Sequence, residues 1–236
     1  MMSAKRGFKA LVVAALGSLL VAGSVSAQTI SIGVSTAGGP IENVASGSMF
    51  AGVGMLPRGG YTITSQGVSL GQGGLSGTNI DVTTTSNPSS PLVVYITSQG
   101  NSIPSPSILF TSAFSAITLS SNFTVNEATY YDPANGLFTT NTTGAFLLSS
   151  VSFISSPGGA VPSGPLTGIS FQSGDASFSV TQVFTITATG AGNTNTGITL
   201  TALAVPVPVA GAGVGGLLIL AGGWLVGRKK ASKLPA

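Results

Sequence analysis

The chain lacks two of the residue types on which catalysis, metal binding and cross-linking most often depend. It contains no cysteine, so no disulfide can stabilise it. It also contains no histidine, which is the commonest general base and the commonest zinc ligand. A Ser-His-Asp site is therefore impossible. Ser-Lys chemistry is excluded from residues 28–204, because that region has no lysine.

Charged residues are scarce and unevenly placed. They make up 6% of the 236 residues, and seven of the eight basic residues lie in the two terminal segments. Between residues 28 and 204 a single Arg58 stands against five acids, a net charge of −4. Those acids are Glu42, Asp81, Glu127, Asp132 and Asp175. Nucleic-acid binding needs a basic face to neutralise phosphates, so the central region is not expected to bind nucleic acid.

The five acids show no catalytic pattern. Glycoside hydrolysis needs a carboxylate pair, and these acids are far apart in sequence, which indicates solvated turn residues. Asp132 and Asn135 flank a Pro-Ala dipeptide before a glycine, a turn sequence rather than a spaced acidic calcium loop. Tyr61, Tyr130 and Tyr131 could stack on sugars. The sequence predicts no catalytic residue, cofactor or metal ligand, and the chain is not expected to be an enzyme.

Residues 1–27 are predicted to be a secretory signal peptide. Their positive segment contains Lys5, Arg6 and Lys9, and the apolar stretch 10–22 follows. The small residues Val25-Ser26-Ala27 resemble a cleavage site, so we expect signal peptidase to cut between Ala27 and Gln28. The central region should therefore be exported.

Residues 205–236 combine a proline motif, an apolar run and a basic tail. Residues 209–226 carry no charge, and as a helix they would measure about 27 Å, close to the thickness of a bilayer's hydrocarbon core. We therefore predict a single transmembrane helix at about 209–226. The basic cluster that follows, expected on the cytoplasmic side, contains Arg228, Lys229, Lys230 and Lys233.

This C-terminal pattern resembles the PEP-CTERM sorting signal of Gram-negative bacteria. The motif here is Val205-Pro206-Val207-Pro208, and Val207 stands where the family has glutamate. The AGAG sequence that follows is similar to a variant of the signal. The resemblance implies an inner-membrane anchored precursor that an exosortase-type transpeptidase cuts near the prolines. The product would then pass to the cell surface or the extracellular matrix.

Residues 28–204 have the composition of short strands and tight turns, rich in Ser, Thr, Gly, Asn, Val, Ile and Phe. Residues 40–60 read as loop and weak strand, Gln66-Gly67 as a turn, and Leu137-Phe138 as the start of a returning segment after the 132–136 turn. The adjacent Val183 and Phe184 predict a bulge or bend. Strands are predicted at 29–35, 61–65, 79–85, 92–97, 107–119, 122–131, 145–154, 176–189 and 197–204, the last two paired through a hairpin-type connection.

About ten short strands without a helical period predict an all-β fold, an antiparallel β-sandwich of jelly-roll-like form. For its function, the first hypothesis is a structural or interaction protein of the bacterial surface or matrix, in contact with exopolysaccharide or with other copies of itself. The alternative is a carbohydrate-binding module that recognises exopolysaccharide. In the first case self-assembly dominates, and in the second one glycan is bound specifically.

Overall fold

A computed structural model describes residues 28–36, 38–69, 75–103, 107–141, 144–154, 167–172 and 177–204. The predicted signal peptide lies outside these residues, as do the 205–208 motif, the 209–226 helix and the basic tail. Over the described part of the chain, no helix has the length and hydropathy needed to cross a bilayer.

The described residues form strands joined by turns and loops. The twelve strands are β1 Thr29–Thr36, β2 Glu42–Ser48, β3 Phe50–Arg58, β4 Tyr61–Ser69, β5 Leu75–Thr84, β6 Leu92–Asn101, β7 Ser107–Leu119, β8 Phe123–Asp132, β9 Phe146–Ile154, β10 Thr167–Gln172, β11 Phe178–Ala188 and β12 Gly192–Ala204.

The strands form two antiparallel sheets of six. Sheet A has the order β2-β1-β6-β11-β8-β9, and sheet B has the order β10-β7-β12-β5-β4-β3. The predicted all-β antiparallel sandwich is thus confirmed. Alternation along the strands explains the packing: on β7, for example, Ile108, Phe110 and Phe114 point inward and are buried, whereas Leu109 and Thr111 are half-buried on the other face.

The apolar residues between the sheets form a large cluster and a smaller one. The large cluster includes Ile32, Ile63, Ile80, Val94 and Phe184, all fully buried. The smaller one packs aromatic rings against each other: the ring centroids of Phe110 and Tyr131 lie 5.3 Å apart, and those of Phe110 and Phe178 lie 5.8 Å apart in an edge-to-face arrangement. These two clusters together pack the two sheets against each other.

Several local predictions were wrong. Residues 40–60 hold two strands, β2 and β3, and Gln66 and Gly67 lie inside β4, paired with Gly52 and Ala51 of β3. Strand β10 was not predicted at all.

The end of the domain also differs from the prediction. The last strand does not pair with β11: it pairs with β5 and β7 in the other sheet, because the 189–191 turn crosses the sandwich. Val183 and Phe184 lie in an unbroken register with β8, so the predicted bulge is absent there. Phe184 belongs to the core between the sheets, whereas Val183 lies on the outer face of sheet A and is 8% exposed.

Candidate functional site

The outer face of sheet A carries two tyrosines on either side of strand β11. Tyr95 of β6 lies opposite Val183 of β11, and Val183 lies opposite Ala128 of β8. Tyr130 of β8 lies opposite Thr181, two residues from Val183 on the same face. Both tyrosines are half-buried, whereas Val183 between them is buried. We call Tyr95, Tyr130 and Val183 the tyrosine face.

A loop folds back over the same face and borders it. It leaves β8 after Asp132, whose two carboxylate oxygens accept the backbone N–H groups of Ala134 and Gly136 at 2.8 and 2.9 Å. The Gly100 N–H donates to the Asn135 side-chain oxygen at 2.8 Å, which ties the turn to β6. The expected 132–136 turn is confirmed, and both oxygens of Asp132 are occupied by it.

Phe138 seats this loop against the sheet. Its backbone N–H donates to Thr97 Oγ1 at 3.2 Å, and its ring centroid lies 6.0 Å from that of Tyr95. The ring fits only because β1 has a glycine beneath it: a Cβ on Gly33 would come within 2.8 Å of the Phe138 ring. The predicted returning segment at Leu137-Phe138 is therefore wrong, since Phe138 belongs to this loop and β9 begins at Phe146.

The tyrosine face is uncharged, and its hydroxyl groups stay protonated. Burial raises the pKa of Tyr95, and the neighbouring Tyr130 raises it further. Burial also raises the pKa of Tyr130. Both phenols can therefore donate hydrogen bonds at physiological pH. Exposed polar side chains lie beside them on the outer face of β8 and β9: Asn126, Ser150 and Ser152.

Of the three tyrosines named from the sequence, one lies on this face. Tyr61 and Tyr131 are 2% and 4% exposed and point into the sandwich, where they cannot stack on a ligand. Tyr130 faces outward. Its partner Tyr95 was missed because the two are 35 residues apart. A signal was present in the alternation of β6, where Tyr95 falls between the inward-facing Val94 and Ile96.

A second polar group lies inside the sandwich. Glu127 of β8 is fully buried and accepts a hydrogen bond from Thr196 of β12, across the gap between the sheets. Burial raises its pKa to about 8, although hydrogen bonds from Thr196 and Ser115 oppose the rise. Nearby, Thr78 of β5 donates to Gln182 of β11 at 2.7 Å. Glu127 is thus not the solvated turn residue that the sequence predicted.

The remaining described acids form no ligand set. Asp81 accepts a hydrogen bond from Asn195 on the exposed face of sheet B, and Glu42 pairs with Arg58 at the surface. Across the described ranges, no three His, Cys, Asp or Glu side chains are grouped so that they could hold a metal ion. Asp175 lies outside these ranges.

Comparison with known proteins shows similarity at the level of structure only. No protein-family model and no curated protein matches the chain. One similar structure is that of TmCBM61 in complex with β-1,4-galactotriose. The two chains are 7% identical, the superposition covers 66% of this chain and 87% of that chain, and the TM-score is 0.29. Another is the enzymatically active domain of bacteriophage CBA120 tailspike protein 4. It is 8% identical, the superposition covers 64% of this chain and 21% of that chain, and the TM-score is 0.29. The fold assignment rests on the strand pairing described above.

Proposed function

We propose that this chain is an exported bacterial surface or matrix protein, and that its jelly-roll-like sandwich binds exopolysaccharide at the tyrosine face without catalysing a reaction. The pair Tyr95–Tyr130 carries the proposal. Two aromatic side chains with donor hydroxyls, on an uncharged sheet face beside amide and hydroxyl groups, suit a sugar ring with its apolar faces and polar edges. A net charge of −4 in residues 28–204 disfavours anionic polymers and points to neutral glycans.

The first prediction concerns this face. Tyr130→Ala or Tyr95→Ala should weaken binding to a neutral polysaccharide by about tenfold or more, because each removes a central aromatic contact. The measurement is retardation in native gels that contain a glycan chosen from an array or the producing cell's own exopolysaccharide. The matched control is Phe50→Ala, which removes an exposed ring from sheet B and should leave retardation unchanged.

Equal loss in all three variants, or no retardation by any glycan, would contradict carbohydrate binding at this face.

The second candidate function, a self-assembling structural protein, has a separate observation in its favour. Strand β9 is one of the two edge strands of sheet A among the described residues, and unlike β2 it has no proline or charged residue, the features that usually protect a sheet edge. Concentration-dependent association in sedimentation, without glycan binding, would favour this candidate.

Sorting is the other part of the proposal. Signal peptidase would release the region after Ala27, the 209–226 segment would hold the precursor in the inner membrane, and an exosortase-type transpeptidase would cut near Pro206 and Pro208. The sequence motifs support this route. The protein would then reside at the cell surface or in the extracellular matrix.

The second prediction follows from that route. The intact mass of the secreted protein should correspond to a chain that begins at Gln28 and lacks the basic tail from Arg228 onward. The precursor from cells without the transpeptidase is the control, and its mass should include the tail. Secreted material that retains Lys229 and Lys230 would contradict the cleavage and leave a plain membrane anchor.

A further inference from the structure

The predicted first residue of the exported chain is a glutamine, and glutamine at that position has a chemistry of its own. Cleavage after Ala27 would leave Gln28 with a free α-amino group. In a flexible chain this amino nitrogen attacks the side-chain carbonyl carbon, Cδ. A C–N bond forms, the Cδ–Nε2 bond breaks, and ammonia leaves with a proton taken from the amine. The product is the cyclic amide pyroglutamate, and no other reactant is needed. From the sequence alone, the new N-terminus would therefore lose its amine and its positive charge.

The folded domain holds the Gln28 side chain in a site of its own. The residue is 9% exposed, and its Nε2 atom, which would depart as ammonia, donates a hydrogen bond to Asn101 Oδ1 at 3.0 Å. The next residue, Thr29, already belongs to β1 and pairs with Gln99 of β6 and Ser48 of β2. The side chain is thus fastened to a neighbouring strand, and the backbone beside it is paired on both sides.

Asn101 is itself held in place, so it cannot follow a departing glutamine. Its side chain is fully buried at the end of β6. The Nδ2 group donates to the backbone oxygens of Ser98 at 2.8 Å and Phe178 at 3.2 Å, and Oδ1 also accepts the Ser98 hydroxyl at 2.9 Å. These bonds connect β6 with β11. An amide whose two polar atoms are both engaged in a buried network is a fixed anchor for the Gln28 side chain.

Ring closure requires a different arrangement of the Gln28 side chain. Its Cδ must approach the nitrogen of the same residue, so the side chain has to curl back over its own backbone and withdraw from Asn101. Withdrawal breaks the hydrogen bond from Nε2 to Oδ1 and takes a buried amide out of its site. Cyclisation in the folded protein therefore proceeds at the intrinsic rate multiplied by the small population in which this end of β1 is open.

We propose that Asn101 protects the N-terminal glutamine from cyclisation, so that the exported protein keeps Gln28 in its amide form with a free α-amino group. The inference rests on the proposed cleavage between Ala27 and Gln28 and adds the chemical state of the residue that cleavage uncovers. The retained amine is a positive charge in a region where Arg58 is the one basic side chain against five acids. Pyroglutamate has no Nε2 and could not donate the hydrogen bond that Asn101 accepts.

The test compares the same protein in two states. The protein secreted through the signal peptide is purified, and one sample is kept folded at neutral pH while another is unfolded in guanidinium chloride. Mass spectrometry of the N-terminal peptide follows the loss of ammonia from Gln28 over time. Asn101→Ala removes the acceptor of Nε2, and Asn87→Ala, at an exposed loop position between β5 and β6, is the matched control. Circular dichroism shows whether each variant retains its strands.

Cyclisation at least about tenfold slower in the folded sample than in the unfolded one is the expected result. Folded Asn101→Ala should cyclise faster than the folded original protein, and Asn87→Ala should cyclise at the original rate.

Equal rates in the folded and unfolded samples, or secreted protein that already begins with pyroglutamate, overturn the protection and leave the cleavage site intact. Folded Asn101→Ala that cyclises at the original rate overturns the role of Asn101. An N-terminal peptide that does not begin at residue 28 overturns the cleavage site and this inference with it. If Asn101→Ala loses its strands, the folded and unfolded samples of the original protein decide the question alone.

Discussion

The free energy of unfolding is expected to fall as the pH rises from about 4.5 to about 8, because the interior holds a protonated acid. Glu127 is fully buried between the sheets, and its pKa is raised from an ordinary 4.5 to about 8. The direction is unusual, since most acids in folded proteins stabilise the fold as the pH rises through their titration. The cause is desolvation: no cation among the described residues lies beside this carboxyl group.

The free energy of unfolding falls with pH because the folded chain holds the Glu127 proton to a higher pH than the unfolded chain does. Below pH 4.5 both the folded and the unfolded chain hold the proton, so the contribution of Glu127 to stability is fully present. Between 4.5 and 8 the folded chain holds the proton and the unfolded chain does not. Stability therefore declines by up to about 1.4 kcal/mol per pH unit. From pH 4.5 to about 8 the free energy of unfolding therefore falls by roughly 5 kcal/mol in total. That is a large share of the stability of a typical domain.

Denaturant unfolding at pH 5, 6, 7 and 8 measures this slope. Glu127→Gln keeps an acceptor for Thr196 and cannot ionise, so its profile should be flat over the same window. Asp81→Asn makes the same chemical change at an exposed site and should retain the slope. A flat profile in the unmodified protein, or an unchanged slope in Glu127→Gln, would contradict a neutral buried carboxyl group.

Glu127 also shows where prediction from sequence reached its limit. Alternation places Val125, Glu127, Thr129 and Tyr131 on one face of β8, and that face is the interior. From the sequence alone Glu127 is predicted to be a solvated turn residue, since it lies far in sequence from the other acids and nothing pairs it with one of them. The partner that makes burial tolerable, Thr196, is 69 residues away in the other sheet. Such cross-sheet pairs are set by topology, which local patterns do not specify.

How well each strand could be predicted depends on how much apolar face it has. Strands with regular alternation, such as β1, β7 and β8, were predicted within a few residues because one apolar face alone identifies them. Edge strands β2 and β3 were missed because they are rich in glycine and partly exposed, so they have little apolar face to read. The position of β12 was missed because the sequence does not say where the chain goes after β11, which has 11 residues and ends in a short turn. Such a turn can lead to a hairpin partner in the same sheet or to a strand of the other sheet, and here β12 lies in the other sheet.

The tyrosine face was half predictable. Tyr130 was named from its strand, but so were Tyr61 and Tyr131, which the structure buries. Two features that build the site gave no local signal: the pairing of β6 and β8 with opposite sides of β11, and the loop that Phe138 seats over Gly33. Met55 and Phe138 both have a positive φ. Residues with such side chains rarely adopt this backbone conformation, so it could not be predicted from the sequence.

Asp132→Ala is expected to destabilise the domain by about 3 kcal/mol, because its carboxylate accepts two N–H groups and each charge-assisted hydrogen bond contributes about 1.5–3 kcal/mol. The loss should extend to function. Without this turn, the Asn135 side-chain oxygen is no longer positioned to accept the Gly100 N–H, and Phe138 loses its position against Tyr95. Polysaccharide retardation should then weaken together with stability.

Two further variants separate the loop's contribution from the removal of a negative charge. Asp81→Ala removes an exposed acid from sheet B and should change stability by less than about 0.5 kcal/mol. Asp132→Asn keeps one acceptor but turns an N–H₂ group toward one of the two donors, so its stability should lie between that of the original protein and that of Asp132→Ala. Denaturant unfolding gives the ranking, and hydrogen exchange at the Ala134, Gly136 and Phe138 amides locates the change. Wild-type stability and protected amides in Asp132→Ala would show that the loop holds its place on sheet A without this carboxylate, through Phe138 and its seat over Gly33.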